Sequence, residues 1–324
     1  MKINKLKITY KYNNLSNDII KYFENDAINT RNIYMKDPFW KEYEKDIEVS
    51  EKNHKYSSIE INGDTIFLNT YILNKNKCNY DVLEKFVFES ACYQLAKLNK
   101  SISDDNITVE FWLSKEKYNY GFNSNFHYDA SETDQVIHNK LVSPIVTTVS
   151  YFTNCTSTPT LITNICKNVT SVDNEFWFSF PDKNTQTSFT GATYLHGPCF
   201  TKKNSTCKSS NDRYILNIQI FDKPVSNRVL YTNEFAEVYD RDTDIFQFVD
   251  TTNVNKIKIN SASLTSLYNN LGSTVRINNN SVNTDDYRFK INTDTNLKNF
   301  TFSKFDKIFQ EENISYSDIV CISI

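Results

Sequence analysis

Polar and apolar residues alternate through the opening stretch MKINKLKITYKY, which predicts an N-terminal strand. SNDIIKYFEND follows, with Ser16 placed to cap a short helix. SSIEINGDTIFLNTYIL reads as a hairpin with Asn62-Gly63-Asp64 at its turn. In YDVLEKFVFESACYQLAKLNK the apolar positions 82, 83, 86, 91, 92 and 95 recur at helical spacing, predicting a helix packed on a sheet. From about 106 to 223 the texture changes to short β-rich runs separated by turns: ITVEFWLS, NFHYDA, SPIVTTVSYF, PTLITNI, EFWFSF, TSFTGATYLH and RYILNIQIF. Strands at this spacing predict a sandwich or small barrel. Beyond Pro224 lie further strand-like pieces, RVLYTNEFAEVYD, DIFQFVD, STVRIN and YRFKIN, and a candidate helix, FSKFDKIFQEEN. The expected organisation is mainly β with supporting α: an α/β supporting region at 1–104, a β core at 105–224, and an appended β-rich module or lid at 225–324. No internal repeat is visible.

Composition narrows the function classes. The 324 residues carry a net charge of −3 and a pI near 5.9, which offers no electrostatic case for nucleic acid. No run approaches the roughly 18 apolar residues of a membrane helix, and the first residues lack the apolar stretch of a signal peptide. A chain kept in the reducing cytoplasm is expected. The cysteines at 78, 92, 155, 166, 199, 207 and 321 agree, being odd in number and without framework spacing. Cys199 and Cys207 fit no common zinc-site spacing and read as idle or buried thiols. Lysine outnumbers arginine 30 to 6, as an AT-rich genome would produce. The four histidines, six arginines and five glycines are informative by their rarity.

Three segments carry candidate chemistry. In Phe126-His127-Tyr128-Asp129, residues two apart share a strand face, so His127 and Asp129 project together as an imidazole and a carboxylate suited to one metal ion. His196 ends the run Ser188-Phe189-Thr190-Gly191-Ala192-Thr193-Tyr194-Leu195-His196 and is followed at once by Gly197-Pro198, which turns the chain. It can supply a third ligand, and two histidines with one carboxylate leave open positions on an iron. On Asp212–Phe221, Tyr214, Leu216, Ile218 and Ile220 share an apolar face, whereas Arg213, Ile215, Asn217 and Gln219 share a polar one. Arginine's planar fork suits a carboxylate.

The order HxD, a distal histidine about 65 residues on, then arginine a strand-length later, resembles the Fe(II)/2-oxoglutarate-dependent oxygenase superfamily. SPIVTTVSYFTN and FPDKNTQTSFTGATYLHGP resemble the flanking strands of its prolyl-hydroxylase-like branch. The resemblance covers roughly 105–223. It implies a double-stranded β-helix (jelly-roll) core buttressed by the N-terminal helices. His127, Asp129 and His196 would bind iron, and Arg213 the distal carboxylate of 2-oxoglutarate. Tyr151 and Thr148 fall where the family places further co-substrate contacts. Asn217 and Gln219 would orient 2-oxoglutarate or substrate, and ascorbate is compatible as an accessory reductant. The sequence departs from the pattern at Ile215, where a Ser or Thr is common, and in the long loop TKKNSTCKSSN before the arginine.

The expected activity is hydroxylation of a C–H bond in a protein or peptide residue, proline first, with release of succinate and CO2. The alternatives are a small-molecule oxygenase of the same superfamily, a non-catalytic β-helix module that binds a ligand, and a zinc hydrolase on the same triad. The last would leave Arg213 without a role. Glu132 is either a supporting carboxylate or a surface residue. The lysines at 202, 203 and 208 read as a solvated loop, and His54 and His138 as ordinary histidines.

Overall fold

The computed structural model describes residues 2–12, 14–23, 59–61, 64–66, 70–117, 127–131, 134, 140–154, 159–163, 175–198, 212–225, 229–231, 237–258 and 319–323. Seventeen strands are seen among them: β1 (Asn4–Tyr10), β2 (Ile59–Ile61), β3 (Asp64–Ile66), β4 (Tyr71–Ile72), β5 (Asn79–Tyr80), β6 (Thr108–Lys117), β7 (Val146–Tyr151), β8 (Thr160–Thr163) and β9 (Glu175–Ser179), followed by β10 (Thr185–Phe189), β11 (His196–Pro198), β12 (Asp212–Phe221), β13 (Val229–Leu230), β14 (Tyr239–Asp240), β15 (Phe246–Asp250), β16 (Val254–Lys258) and β17 (Ile319–Ser323). Eight form one sheet in the order β13-β4-β6-β12-β7-β10-β1-β15, and five form a second in the order β11-β8-β9-β17-β16. β2 with β3, and β5 with β14, make two short ladders. The two arms of the predicted hairpin pair antiparallel, with Ile59 opposite Ile66 and Ile61 opposite Asp64, while Asn62 and Gly63 of its turn lie outside the described residues.

The backbone of the larger sheet is the ten-residue antiparallel pairing of β12 with β6, joined on the other side by β7. Its two faces bury against different partners because strand side chains alternate. Leu216, Ile218 and Ile220 of β12, with Val109, Phe111 and Leu113 of β6, pack on Leu83, Phe86 and Val87 of the helix Val82–Ala96. Ile215 points the other way and joins Val149, Tyr151 and Phe189, facing Ile162, Trp177, Ile319 and Cys321 of the five-stranded sheet. The sheets thus sandwich a second core. Each such aliphatic side chain contributes about 1.5–3 kcal/mol by leaving water.

The helix begins at a full capping box. The Asp81 carboxylate accepts from the Glu84 N–H at 2.9 Å, and the Glu84 carboxylate accepts from the Asp81 N–H at 3.1 Å. Two more charges are buried on it. The Glu89 carboxylate accepts from the Ile245 and Phe246 N–H groups at 3.0 and 2.8 Å, while Lys85 Nζ lies 3.3 Å from Glu89 and donates to the Arg241 carbonyl at 2.6 Å. These bonds tie 241–246 to the helix.

Three expectations change. Of the region 225–324, the described strands are not set apart from the sheets: β15 extends the larger sheet beside β1, and β17 lies inside the smaller sheet between β9 and β16. The first strand is equally integral, held between β10 and β15. These pairings join distant segments, and local alternation carries no trace of them. Ser16 sits within the helix over 15–23 rather than ahead of it, and its hydroxyl donates to Asn184 Oδ1. Among its described residues, RVLYTNEFAEVYD supplies the two-residue strands β13 and β14. STVRIN, YRFKIN and FSKFDKIFQEEN lie outside the described residues. Among those described, no helix is long and apolar enough to cross a membrane, and Cys78, Cys92 and Cys321 are free thiols.

Candidate metal centre

The chain leaves the larger sheet at Phe189, turns through Gly191–Tyr194, and enters the smaller sheet at His196. The Thr193 and Tyr194 N–H groups close this turn by donating to the Thr190 carbonyl at 3.1 and 3.2 Å. Gly197-Pro198 continues as β11, so His196 lies where the two sheets approach. The HxD segment docks onto this crossover. His127 and His196 exchange both backbone hydrogen bonds, at 2.9 and 3.1 Å, and the Asp129 N–H donates to the Gly191 carbonyl at 3.0 Å. Among the described residues of the short strand expected from NFHYDA, His127 is an isolated bridging position and Tyr128–Ala130 carry no strand pairing.

Three side chains converge. His127 Nε2 and His196 Nε2 each lie 3.4 Å from Asp129 Oδ1, and ligand atoms of the three residues all fall within 4.8 Å of one another. The two imidazole centroids are 4.6 Å apart. His196 Nδ1 is 2.9 Å from the Tyr194 carbonyl. A carbonyl can only accept, so Nδ1 carries a proton and Nε2 is the nitrogen turned toward Asp129. The Phe189 ring packs edge-on against His196 at 4.7 Å. Burial on its own would raise the Asp129 carboxyl. The His196 and His127 rings beside it outweigh that and hold it well below the usual carboxylate range. The carboxylate is therefore ionised and ready to act as a ligand. Asp129 and His196 side chains are 3% and 6% exposed whereas His127 is 44% exposed, so the centre opens to solvent on the His127 side.

Gly191 is required by close approach. A Cβ there would overlap Asp129 Oδ2 and Thr147 Oγ1, and would lie 2.7 Å from Asp129 Cγ. The space goes instead to a hydrogen bond that Thr147 Oγ1 donates to Asp129 Oδ2.

Arg213 is buried on the sandwich-facing side of β12. Its Nη2 donates to Thr160 Oγ1 at 3.0 Å, and its guanidinium lies 5.6 Å from the centroid of the Tyr151 ring. Tyr151 Oη is 2.7 Å from Thr160 Oγ1. Thr160 stands opposite Pro198, two positions along β8 from Ile162, which stands opposite His196. Two strand positions are a step of about 7 Å. Thr160, which holds Arg213 from across the sandwich, and Ile162, opposite His196, therefore share the inward face of the smaller sheet.

The other predicted residues divide by strand parity. Tyr151 lies in the arginine cluster. Asn217 shares the interior face, opposite Val149, and Gln219 stands opposite Thr147. Thr148 does not reach this face: it is opposite Ile218 and Ser188, on the side of β7 that meets the helix. Its neighbour Thr147 is the one at the carboxylate. Neither Thr147 nor Thr160 was singled out from the sequence. Parity with Tyr151 points to Thr147, whereas nothing local points to Thr160, 53 residues from Arg213. Glu132, the lysines at 202, 203 and 208, Cys199, Cys207, His54 and His138 lie outside the described residues.

No family model matches the sequence, and no curated protein matches it. Among solved structures, a prolyl-4-hydroxylase of Pseudomonas putida is similar to 49% of this chain over 72% of its own length, at 10% identity and a TM-score of 0.28. A TM-score that low defines no shared fold, and the functional reading rests on the centre itself.

Proposed function

We propose that the chain is a non-haem Fe(II)- and 2-oxoglutarate-dependent oxygenase built on a double-stranded β-helix core, and that it hydroxylates a C–H bond of a protein or peptide residue. The observation that carries this reading is the convergence of two imidazole Nε2 atoms and one ionised carboxylate oxygen, in a sandwich whose interior also buries Arg213. The donor set fits the metal. Two neutral nitrogens and one carboxylate suit a first-row divalent ion, and three protein ligands leave positions for other molecules. When bound, Fe(II) with 2-oxoglutarate and dioxygen supplies the oxidising chemistry, in which 2-oxoglutarate loses CO2 to become succinate and one substrate C–H becomes C–OH.

The chain's own part is binding, orientation and shielding. His127, Asp129 and His196 would hold the metal, with the Tyr194 carbonyl fixing the His196 ring. Arg213 would pair with the distal carboxylate of 2-oxoglutarate, with Thr160 and Tyr151 lining the same pocket. Thr160 supplies the hydroxyl that Ile215 lacks. Asn217 and Gln219 face the interior and would orient the co-substrate or substrate. The exposed flank of His127 is the side from which substrate would approach. Proline in a peptide leads among substrates because the flanking segments resemble the prolyl-hydroxylase-like branch. Ascorbate as an accessory reductant and a reducing cytoplasmic setting belong to the same reading.

An anaerobic titration tests it. Apo-protein receives Fe(II), then 2-oxoglutarate, while visible absorption is recorded beside His127→Ala and Arg213→Ala. The expected result is a weak charge-transfer band that needs both additions, vanishes in His127→Ala and requires at least about tenfold more 2-oxoglutarate in Arg213→Ala, as loss of a charged hydrogen bond predicts. No retained Fe(II) and no band would overturn the oxygenase reading.

A further inference from the structure

The two oxygens of Asp129 meet different surroundings. Oδ1 faces both histidine Nε2 atoms at 3.4 Å. Oδ2 is turned away and accepts from Thr147 Oγ1, with the α-carbon of Gly191 closing over it so tightly that no Cβ fits. The carboxylate cannot swing to offer both oxygens inward without breaking the Thr147 bond. Nor can it retreat, because the Asp129 N–H is fixed to the Gly191 carbonyl at 3.0 Å.

We propose that Thr147 and Gly191 form a clamp that holds Asp129 as a one-oxygen ligand, so that a bound metal keeps an additional coordination position open. The inference rests on the metal-centre reading above. A carboxylate that chelates through both oxygens occupies two positions, and one that chelates through Oδ1 alone occupies one. Thr147 is therefore a positioning residue. It touches neither metal nor substrate and acts only through the orientation of Asp129, as outer hydrogen-bond partners of metal ligands commonly do. The clamp also explains why a glycine stands at 191. The φ of Gly191 itself lies outside the left-handed region, so it is closeness and not backbone conformation that excludes a side chain here.

Co(II) is the probe, added to the full chain as wild type, Thr147→Val, Thr147→Ser and Gly191→Ala, with visible ligand-field spectra and binding curves recorded. Far-UV circular dichroism establishes that each variant is folded. The expected result is a changed band shape and about 10- to 100-fold weaker binding in Thr147→Val. Thr147→Ser should restore the wild-type spectrum, and Gly191→Ala should lose Co(II). If wild type itself binds no Co(II), the metal-centre reading fails. If wild type binds and folded Thr147→Val gives the wild-type spectrum, the clamp fails while the metal centre stands. Should Thr147→Val not fold, the wild-type protein decides alone. Metal-induced infrared difference spectra of carboxyl-labelled aspartate show a wide separation of the two carboxylate stretches for a one-oxygen ligand, and a narrow separation would overturn the proposal.

Discussion

Thr160 meets both Arg213 and Tyr151 through one hydroxyl oxygen, inside a sandwich where an unmatched polar atom costs about 1–3 kcal/mol. The shared contact fixes the guanidinium as much as it offers a ligand contact. Thr160→Val keeps the shape and removes the hydroxyl. Anaerobic 2-oxoglutarate titration should show affinity falling about tenfold, with Fe(II) affinity unchanged. A change under twofold would remove Thr160 from the pocket. Thr148, one residue from the carboxylate partner Thr147, should behave in the opposite way. It is fully buried, and its Oγ1 finds no hydrogen-bond partner among the described residues. Thr148→Val should raise stability by about 1 kcal/mol in denaturant melts and leave 2-oxoglutarate affinity as it was. Lost co-substrate binding in that variant would mean that parity on β7 has been misassigned.

Among elements, the helix Val82–Ala96 carries an unusual load of buried charge. Burial pushes the Asp81 carboxyl up to about 6, with the neighbouring Glu84 charge adding to the effect against the Glu84 N–H bond. The folded state therefore holds this proton more tightly than the unfolded chain, whose carboxyl titrates near 3.8. The resulting stabilisation is complete below the unfolded value and is lost as pH rises through the folded one. Asp81→Asn keeps a capping oxygen without the charge. Relative to wild type, the variant should gain stability between pH 4 and 7, by an amount on the order of 3 kcal/mol at most. Urea melts of both proteins across that range check it, and a pH-independent difference would refute the burial argument. Taking the difference cancels groups common to both, Asp129 included. The helix itself was legible from its apolar spacing. Its capping box and its bonds to 241–246 were not read from that spacing, since the second depends on a segment about 156 residues away.

For the molecule as a whole, the C-terminal strand is decisive. β17 is hydrogen bonded on both sides, to β9 and β16, and Ile319, Val320 and Cys321 are all buried. Removing residues 319–324 would strip two strands of their partner and open the sandwich core that backs the metal centre. The truncated chain should lose its cooperative thermal transition and its metal binding together. A truncated protein that melts cooperatively and retains Fe(II) would restore the C-terminal region to the status of an add-on.

The sequence alone determined what depends on local period and residue chemistry. Side chains two apart on a strand share a face, which grouped Arg213 with Asn217 and Gln219 and set them apart from Leu216 and Ile218. The rarity of histidine and arginine drew attention to His127, His196 and Arg213. Period alone does not say which face meets which neighbour, so Thr147 and Thr148 could not be ranked before the strand was placed between β12 and β10. Nor does it say which strands pair, because that is decided by the joint burial of apolar faces from segments far apart in the chain. The tertiary structure therefore decided that the C-terminal strands complete both sheets, that Thr160 meets Arg213, and that Gly191 stands where a side chain would displace the carboxylate.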